Sequence, residues 1–485
     1  MFAARVARAV EVLVVLGATT YVTMYLAVAL LRLGHPYELE WMEGGVIEHV
    51  RRILDGKKLY VPPTLEFVPF IYTPLYYYLG AALAKVFGLG FAPLRALSLV
   101  CSLGATALVH SFVRREVKDK TSAWLAAALF LGTYGASAAW LDLARVDSLF
   151  LLFALAAAWL VRFVRTPAGL LGAAALSALA FFTKQNALLL AAALGGYLLV
   201  SELRRAAWYV VPTAVLIGGG ALWLDRIHDG WFWYYVFWLP QQHPWVKPMF
   251  ADFWRHDLFP AVGVAALVAV LALVVRRRHR RFYLFFTAAL MGIGWSGRLH
   301  FGGWTNTLLP AFACIAVLAG IGMRELRSMA SALSAPRRDA VRLFLALAAA
   351  MQLGLLHYSP RRLVPRARDE VAGRELYDKL RAIDGEVWVL GPGYLAARAG
   401  KRSYAHEWAI RDVLNFGGGA PGRELSREIR EAIRDRRFDA IVSETEYLEK
   451  EISVRYRDGG PAVSDPKAFF AVTGTPNRAR TVWLR

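Results

Sequence analysis

From Ala9 to Leu31 the chain is predominantly apolar, and that one stretch constrains the fold more than any other feature. A run of this length crosses a bilayer, which takes about 20 apolar residues. It is too long for a signal h-region and no small-residue cleavage site follows it, so it is expected to remain as a first membrane span. Directly after it comes a polar stretch, Tyr37 to Val50, carrying Glu38, Glu40 and Glu43. Carboxylates where a membrane helix emerges are costly unless they have a partner or a function.

Comparable apolar blocks recur along the 485 residues, 57% of which are hydrophobic, against about 45–50% in a soluble protein. The chain therefore reads as a polytopic membrane protein. Its net charge of +20 does not point to nucleic acid. The basic residues sit mostly in short loops between apolar runs, which is the cytoplasmic-loop bias of membrane proteins. Cys101 and Cys314 lie inside apolar runs and read as small core residues.

Charge also sets the topology. Arg5 and Arg8 precede the first span and place the N-terminus in the cytoplasm. Residues 74–90 either span or lie along the interface with their tyrosines at headgroup level. If they span, the cluster from Arg114 to Lys120 falls outside, and later clusters with it. If they lie flat, that cluster, Arg162 and Arg165, Arg204-Arg205, Arg276 to Arg281 and Arg324 to Arg342 are all cytoplasmic. The second arrangement is adopted. It gives about eleven spans: 9–31, 94–112, 122–140, 148–164, 168–183, 187–201, 208–224, 257–275, 282–297, 304–322 and 341–357. An odd number places the tail, residues 359–485, on the extracytoplasmic side. The tail is polar, and short β-like runs at 386–390, 438–443 and 481–484 alternate with helical ones. It reads as a small α/β domain following a transmembrane domain of residues 1–358. Gly391-Pro392-Gly393 lacks the fuller glycine fingerprint of a nucleotide site. The expected fold class is mostly α, with juxtamembrane helices and this α/β tail, in an inner or plasma membrane.

On this topology the extracytoplasmic face gathers the three glutamates with Asp142, Arg145, Asp147, Lys184, Gln185, His243, Arg298, His300 and Asn306. Carboxylates supply a general base. Arginine and lysine hold an anionic group such as a phosphate through charge-assisted hydrogen bonds. The aromatic run Trp231 to Trp238 suits either a sugar or, more simply, the aromatic belt of a membrane surface. No His, Cys and Asp spacing matches a structural metal site. Carboxylates can still take a divalent cation through oxygen, but no cofactor is expected.

Several motifs recur in order: the acidic loop, Gly56-Lys57-Lys58-Leu59-Tyr60, Tyr72-Thr73-Pro74-Leu75-Tyr76-Tyr77-Tyr78, Ala144-Arg145-Val146-Asp147 and Thr183-Lys184-Gln185. Together, over roughly residues 10–320, they resemble the GT-C glycosyltransferases, in particular the protein O-mannosyltransferases, the lipid A aminoarabinose transferases and bacterial family 39-type relatives. The resemblance implies a polyprenyl-phosphate sugar as donor, inversion at C1, and an acid of the first outer loop as base. Carried onto this sequence, Glu43 takes the base position with Glu40 next. Asp147 matches the acid of the second outer loop, and Lys184 and Arg298 are candidates for the donor phosphate. Independently of the resemblance, Tyr72, Arg145, Gln185, His243, His300 and Asn306 are further substrate-binding candidates. Family members often carry two adjacent acids in the first loop. Here they are spaced as Glu40-Trp41-Met42-Glu43, which on a helix puts both on one face. Acceptors of protein, lipid or glycan type remain open. The rival readings are a flippase or transporter of lipid-linked saccharide, which calls for inverted repeats that the sequence does not display, and an inactive membrane scaffold.

Overall fold

The computed structural model describes residues 2–485. An apolar helix overlaps each expected span: α1 (Phe2–Leu33), α4 (Phe91–Val117), α5 (Lys120–Gly132), α6 (Asp147–Phe163), α7 (Pro167–Thr183), α8 (Ala187–Ser201), α9 (Leu203–Ile227), α10 (Met249–Val275), α11 (Arg280–Leu299), α12 (Leu309–Ala330) and α13 (Ala335–Leu355). Six helical stretches are long and apolar enough to cross a membrane by themselves: Arg5–Leu33, Phe91–Val117, Leu203–Ile227, Met249–Val275, Thr305–Ala330 and Ala335–Arg362. The chain is a multi-pass membrane protein. Helices α5 to α8 are shorter, at 13, 17, 17 and 15 residues, so length and composition alone do not make them spans.

Two helices precede α4. The first, α2 (Glu43–Leu54), is amphipathic. The second, α3 (Leu75–Phe87), has 13 residues. At 1.5 Å per residue it reaches ~20 Å, short of the ~30 Å hydrocarbon thickness. α5 has the same length, so the interfacial reading of α3 rests on charge.

The largest departure from the sequence reading lies between α5 and α6. The helix expected over 122–140 stops at Gly132. Residues 133–146 are irregular yet buried, and Ala138 and Ala139 adopt left-handed backbone (φ 52° and 55°). Such a turn persists only where its surroundings fix it. Here Arg32, at the end of α1, donates to Ala139 O at 3.3 Å and to the Tyr134 hydroxyl at 2.7 Å, and pairs with Asp142 at 3.3 Å. The segment so held delivers Trp140, Asp142 and Arg145 to the interior.

The tail forms helices α14 (Ala367–Ala382), α15 (Gly393–Arg398), α16 (Glu407–Phe416) and α17 (Gly419–Arg434) around a four-stranded sheet. Strands β1 (Val387–Val389), β2 (Ala440–Ser443), β3 (Arg457–Pro461) and β4 (Thr481–Leu484) lie in the order β1-β2-β4-β3. β1 and β2 run parallel, and β4 runs antiparallel to both β2 and β3. The strands read from the sequence are β1, β2 and β4. The exposed, glycine-containing β3 lacks the apolar signal that marks them.

The tail does not close a core of its own. Val387, Trp388, Ile410 and Ile441 share one apolar cluster with Val46, Val50, Leu59 and Phe70 of the first loop. Backbone bonds join the two: Ala405 N to Leu65 O at 2.9 Å and Thr473 N to Leu39 O at 3.0 Å. At Gly474, φ is +77° and a Cβ would lie 1.7 Å from the Trp41 ring, so glycine is the residue that fits. The tail therefore roofs the acidic loop.

Candidate active site

The three acids of the first loop have separate fates. Glu43 opens α2 and is fully buried. Its Oε2 accepts from Leu39 N at 2.7 Å and from Arg95 Nη2 at 2.7 Å. Its Oε1 accepts from Ala144 N at 2.7 Å and from Arg95 Nε at 3.1 Å. Arg95 spends its remaining donors on the carbonyls of Arg32, His35 and Tyr37 at 3.2, 2.7 and 2.7 Å. Burial by itself would raise the Glu43 carboxyl. The Arg95 charge and these hydrogen bonds outweigh it and hold the group below its ordinary range. Glu43 was the base carried over from the resemblance, yet in this arrangement both its oxygens are committed to holding the loop on α4.

Glu40 differs. Thr473 bridges its backbone in parallel β fashion, so it lies in extended chain before α2 rather than on the helix. The one-face placement expected of a helical Glu40 and Glu43 is lost for that reason. Glu40 Oε2 accepts from Met42 N at 3.2 Å and lies 3.4 Å from Arg145 Nη1. Its Oε1 is buried without a hydrogen-bond partner, and so is Arg145 Nη1. Burial pushes the carboxyl up to about 7, against the pull of Arg145. The third acid, Glu38, accepts from Gly44 N at 2.7 Å and is raised by burial and by the charge of Glu444 in the tail.

Around Glu40 the structure assembles much of the expected set. Arg145 donates to the Tyr72 hydroxyl at 3.1 Å. Asp147, at the start of α6, accepts from Lys184 Nζ at 2.7 Å, Trp140 Nε1 at 2.8 Å and Asn306 Nδ2 at 3.0 Å. Ala144, which binds Glu43, and Asp147 flank Arg145 by one and two residues. Glu43, Asp147 and Lys184 are thus joined through a short chain of contacts.

The other expected residues make their contacts elsewhere. Gln185 donates to Ile71 O at 2.8 Å and to Val236 O at 3.3 Å, tying the first loop to the aromatic segment. Arg298 is engaged by Asp257 at 2.6 Å and also donates to Gly303 O, so its guanidinium braces the loop before α12. His243 and His300 lie 4.6 Å apart, ring to ring, and His243 packs on Phe416 at 4.4 Å. Within the aromatic run, Phe232 and Tyr235 are buried near Tyr60, whereas Trp233 faces outward. Sequence reasoning missed Arg95, whose charge inside an apolar helix was the available signal. It also missed Trp140 and Glu444. Among the described residues, no group of three or more His, Cys, Asp or Glu is placed to hold a metal ion.

Residues 69–224 match the sequence family described as dolichyl-phosphate-mannose-protein mannosyltransferase. The structure is similar over nearly its whole length to ArnT from Cupriavidus metallidurans. The apo form has a TM-score of 0.61 at 12% identity and covers 96% of this chain and 97% of that one. The form bound to undecaprenyl phosphate gives 0.60 at 13%, with the same coverage. The fold is GT-C. A zinc and sulfate complex of the Archaeoglobus fulgidus oligosaccharyltransferase is similar at TM-score 0.50 and 12% identity, covering 92% of this chain and 72% of that one. No curated protein matches by sequence. Within this fold, the first loop, the segment 133–146 and the roofing tail are what surround Glu40.

Proposed function

We propose that the chain is an integral-membrane glycosyltransferase that moves a sugar from a polyprenyl-phosphate donor to an extracytoplasmic acceptor hydroxyl, with inversion at C1. The observation that carries the assignment of the base is the state of the acids. Glu43 and Asp147 have their oxygens bound by fixed donors, and Glu40 alone of the three keeps a buried oxygen free. Glu40 takes the acceptor's proton as the acceptor oxygen attacks C1. The bond from C1 to the phosphate oxygen breaks, and the lipid phosphate leaves with the electron pair. Arg145, with an unused Nη1, and Lys184, held by Asp147, receive the phosphate charge. Asn306, Trp140 and Tyr72 fix these side chains in place. The N-terminus is cytoplasmic, and the site and tail are extracytoplasmic. The similarity of fold to ArnT, whose structure contains undecaprenyl phosphate, supports the donor class.

Membranes containing the protein, supplied with a panel of radiolabelled polyprenyl-phosphate sugars, are expected to transfer label from at least one. Transfer from none would sink the reading. The base assignment also fixes a pH profile. Glu40 acts deprotonated and burial lifts its carboxyl to about 7. Transfer is therefore expected to rise about tenfold per unit below pH 7 and to level off above it. A profile flat from pH 5 to 8 would exclude Glu40 as base.

A further inference from the structure

Glu444 follows β2 at the carboxyl end of the parallel pair β1 and β2, the edge of an α/β sheet where ligands collect. It is 6% exposed, and its Oε2 has no hydrogen-bond partner among the described residues. The chain makes room for this carboxyl: a Cβ on Gly391, just beyond β1, would stand 1.8 Å from Glu444 Oε2. A buried carboxyl without a partner calls for a reason beyond folding.

The surroundings supply one. Glu444 forms the floor of an open cleft of about 590 Å³, whose walls include Arg411, Arg478, Arg480, Tyr447 and Phe470. It also lines a narrow space of about 20 Å³ shared with Glu38 and Trp41, room for a single water. The cleft thus opens to the outside on one flank and ends near the acidic loop on the other. The wall segment is attached to that loop directly, through the Thr473 to Leu39 backbone bond and the bridge to Glu40. The arginines keep donors to spare. Arg478 uses Nη1 on the carbonyls of Asp465 and Ala468, and its guanidinium lies 4.7 Å over the exposed Phe470 ring. Arg480 has only Glu446 nearby, at 3.9 Å. Burial, with the charges of Glu407 and Glu40, raises the Glu444 carboxyl to about 8, so at neutral pH the floor is a hydrogen-bond donor and the walls are cationic.

We propose that this cleft is the acceptor subsite and that it takes an anionic saccharide. Arg478 and Arg480 receive a phosphate or carboxylate, Phe470 and Tyr447 pack on the sugar ring, and Glu444 binds a hydroxyl. The word acceptor rests on the transferase reading above; the anionic-sugar site does not, and it is tested without a donor.

The test is saturation-transfer NMR on the full chain in neutral detergent at pH 7, with glucose, glucose 6-phosphate and glucuronate as probes. Saturation transfer to the two anionic sugars, at least fivefold above that to glucose, is expected. Arg478→Gln/Arg480→Gln should remove it. Glu444→Gln, which keeps a donor, should retain it, and Glu444→Leu should weaken it about tenfold. Arg423→Gln/Arg427→Gln, on the exposed face of α17, should leave it unchanged. Equal signals from all three sugars, or anionic binding that survives Arg478→Gln/Arg480→Gln, overturns the site. If the anionic sugars bind as stated but no lipid-linked sugar is ever transferred, the transferase reading fails and the site stands. Transfer to neutral acceptors only, with no anionic binding, has the reverse meaning.

Discussion

Replacing Glu40 with glutamine is expected to lower sugar transfer by about 10²–10⁴-fold, the usual contribution of a positioned general base, while leaving the fold intact. Glutamine has the same shape but cannot take the acceptor's proton. The stability half of the expectation follows from how weakly Glu40 is bound. Its ion-pair partner, Arg145, stands at 3.4 Å without a hydrogen bond, and its Oε1 contacts no donor. With the carboxyl raised to about 7, the folded protein at pH 6 already carries mostly protonated Glu40. A neutral amide resembles that protonated acid, so near pH 4, where the carboxyl is protonated in the folded and the unfolded chain alike, thermal stability should match the parent within about 1 kcal/mol, less than one pKa unit's worth. The parent should lose that match as pH rises. A carboxyl raised in the folded state contributes stability below its unfolded value, near 4.5, that is lost on passing through 7. The variant should lack this decline. Full transfer activity in Glu40→Gln, measured on a donor the parent uses, would remove Glu40 from the chemistry.

Much of the fold is legible because lipid imposes long apolar blocks and loop charge orders them. Arginine clusters far away in sequence set the interfacial reading of residues 74–90, and a 13-residue helix, α3, forms there. The end of α5 at Gly132 was not legible. An apolar stretch reads as helix whether or not a buried arginine, here Arg32, is positioned to satisfy the carbonyl and hydroxyl of an irregular turn. The site divides along the same line. Arg145, Asp147, Lys184, Asn306 and Tyr72 could be gathered by motif and sidedness, and they share contacts. Partner choice could not be read. Arg298 meets Asp257 and Gly303, and Glu43 meets Arg95, because packing of distant helices sets those pairs. The roof was beyond reach for a different reason: a polar tail of ordinary α/β character gives no sign that its strands will share a core with a loop more than 300 residues earlier, such as Leu65 and Ala405.

Replacing Glu43 with glutamine should cost activity by another route, through the structure. Arg95 is 1% exposed and directs its donors to Glu43 and to three carbonyls of the first loop. Removing the Glu43 charge leaves a guanidinium buried without its counter-ion and sets an amide donor against Leu39 N or Ala144 N. Breaking one side of such a pair costs about 3–5 kcal/mol. Glu43→Gln should therefore fall in thermal midpoint and in yield of folded protein, unlike Glu40→Gln. Arg95→Met, which strands the carboxylate instead, should do the same. The double variant Glu43→Gln/Arg95→Met should be less destabilised than the sum of the two, because neither charge is then left alone. Comparing melting curves of the four proteins in detergent gives the coupling directly. If Glu43→Gln melts with the parent and still loses all transfer, the pair does not hold the loop, and Glu43 regains the role of base that the family resemblance suggested.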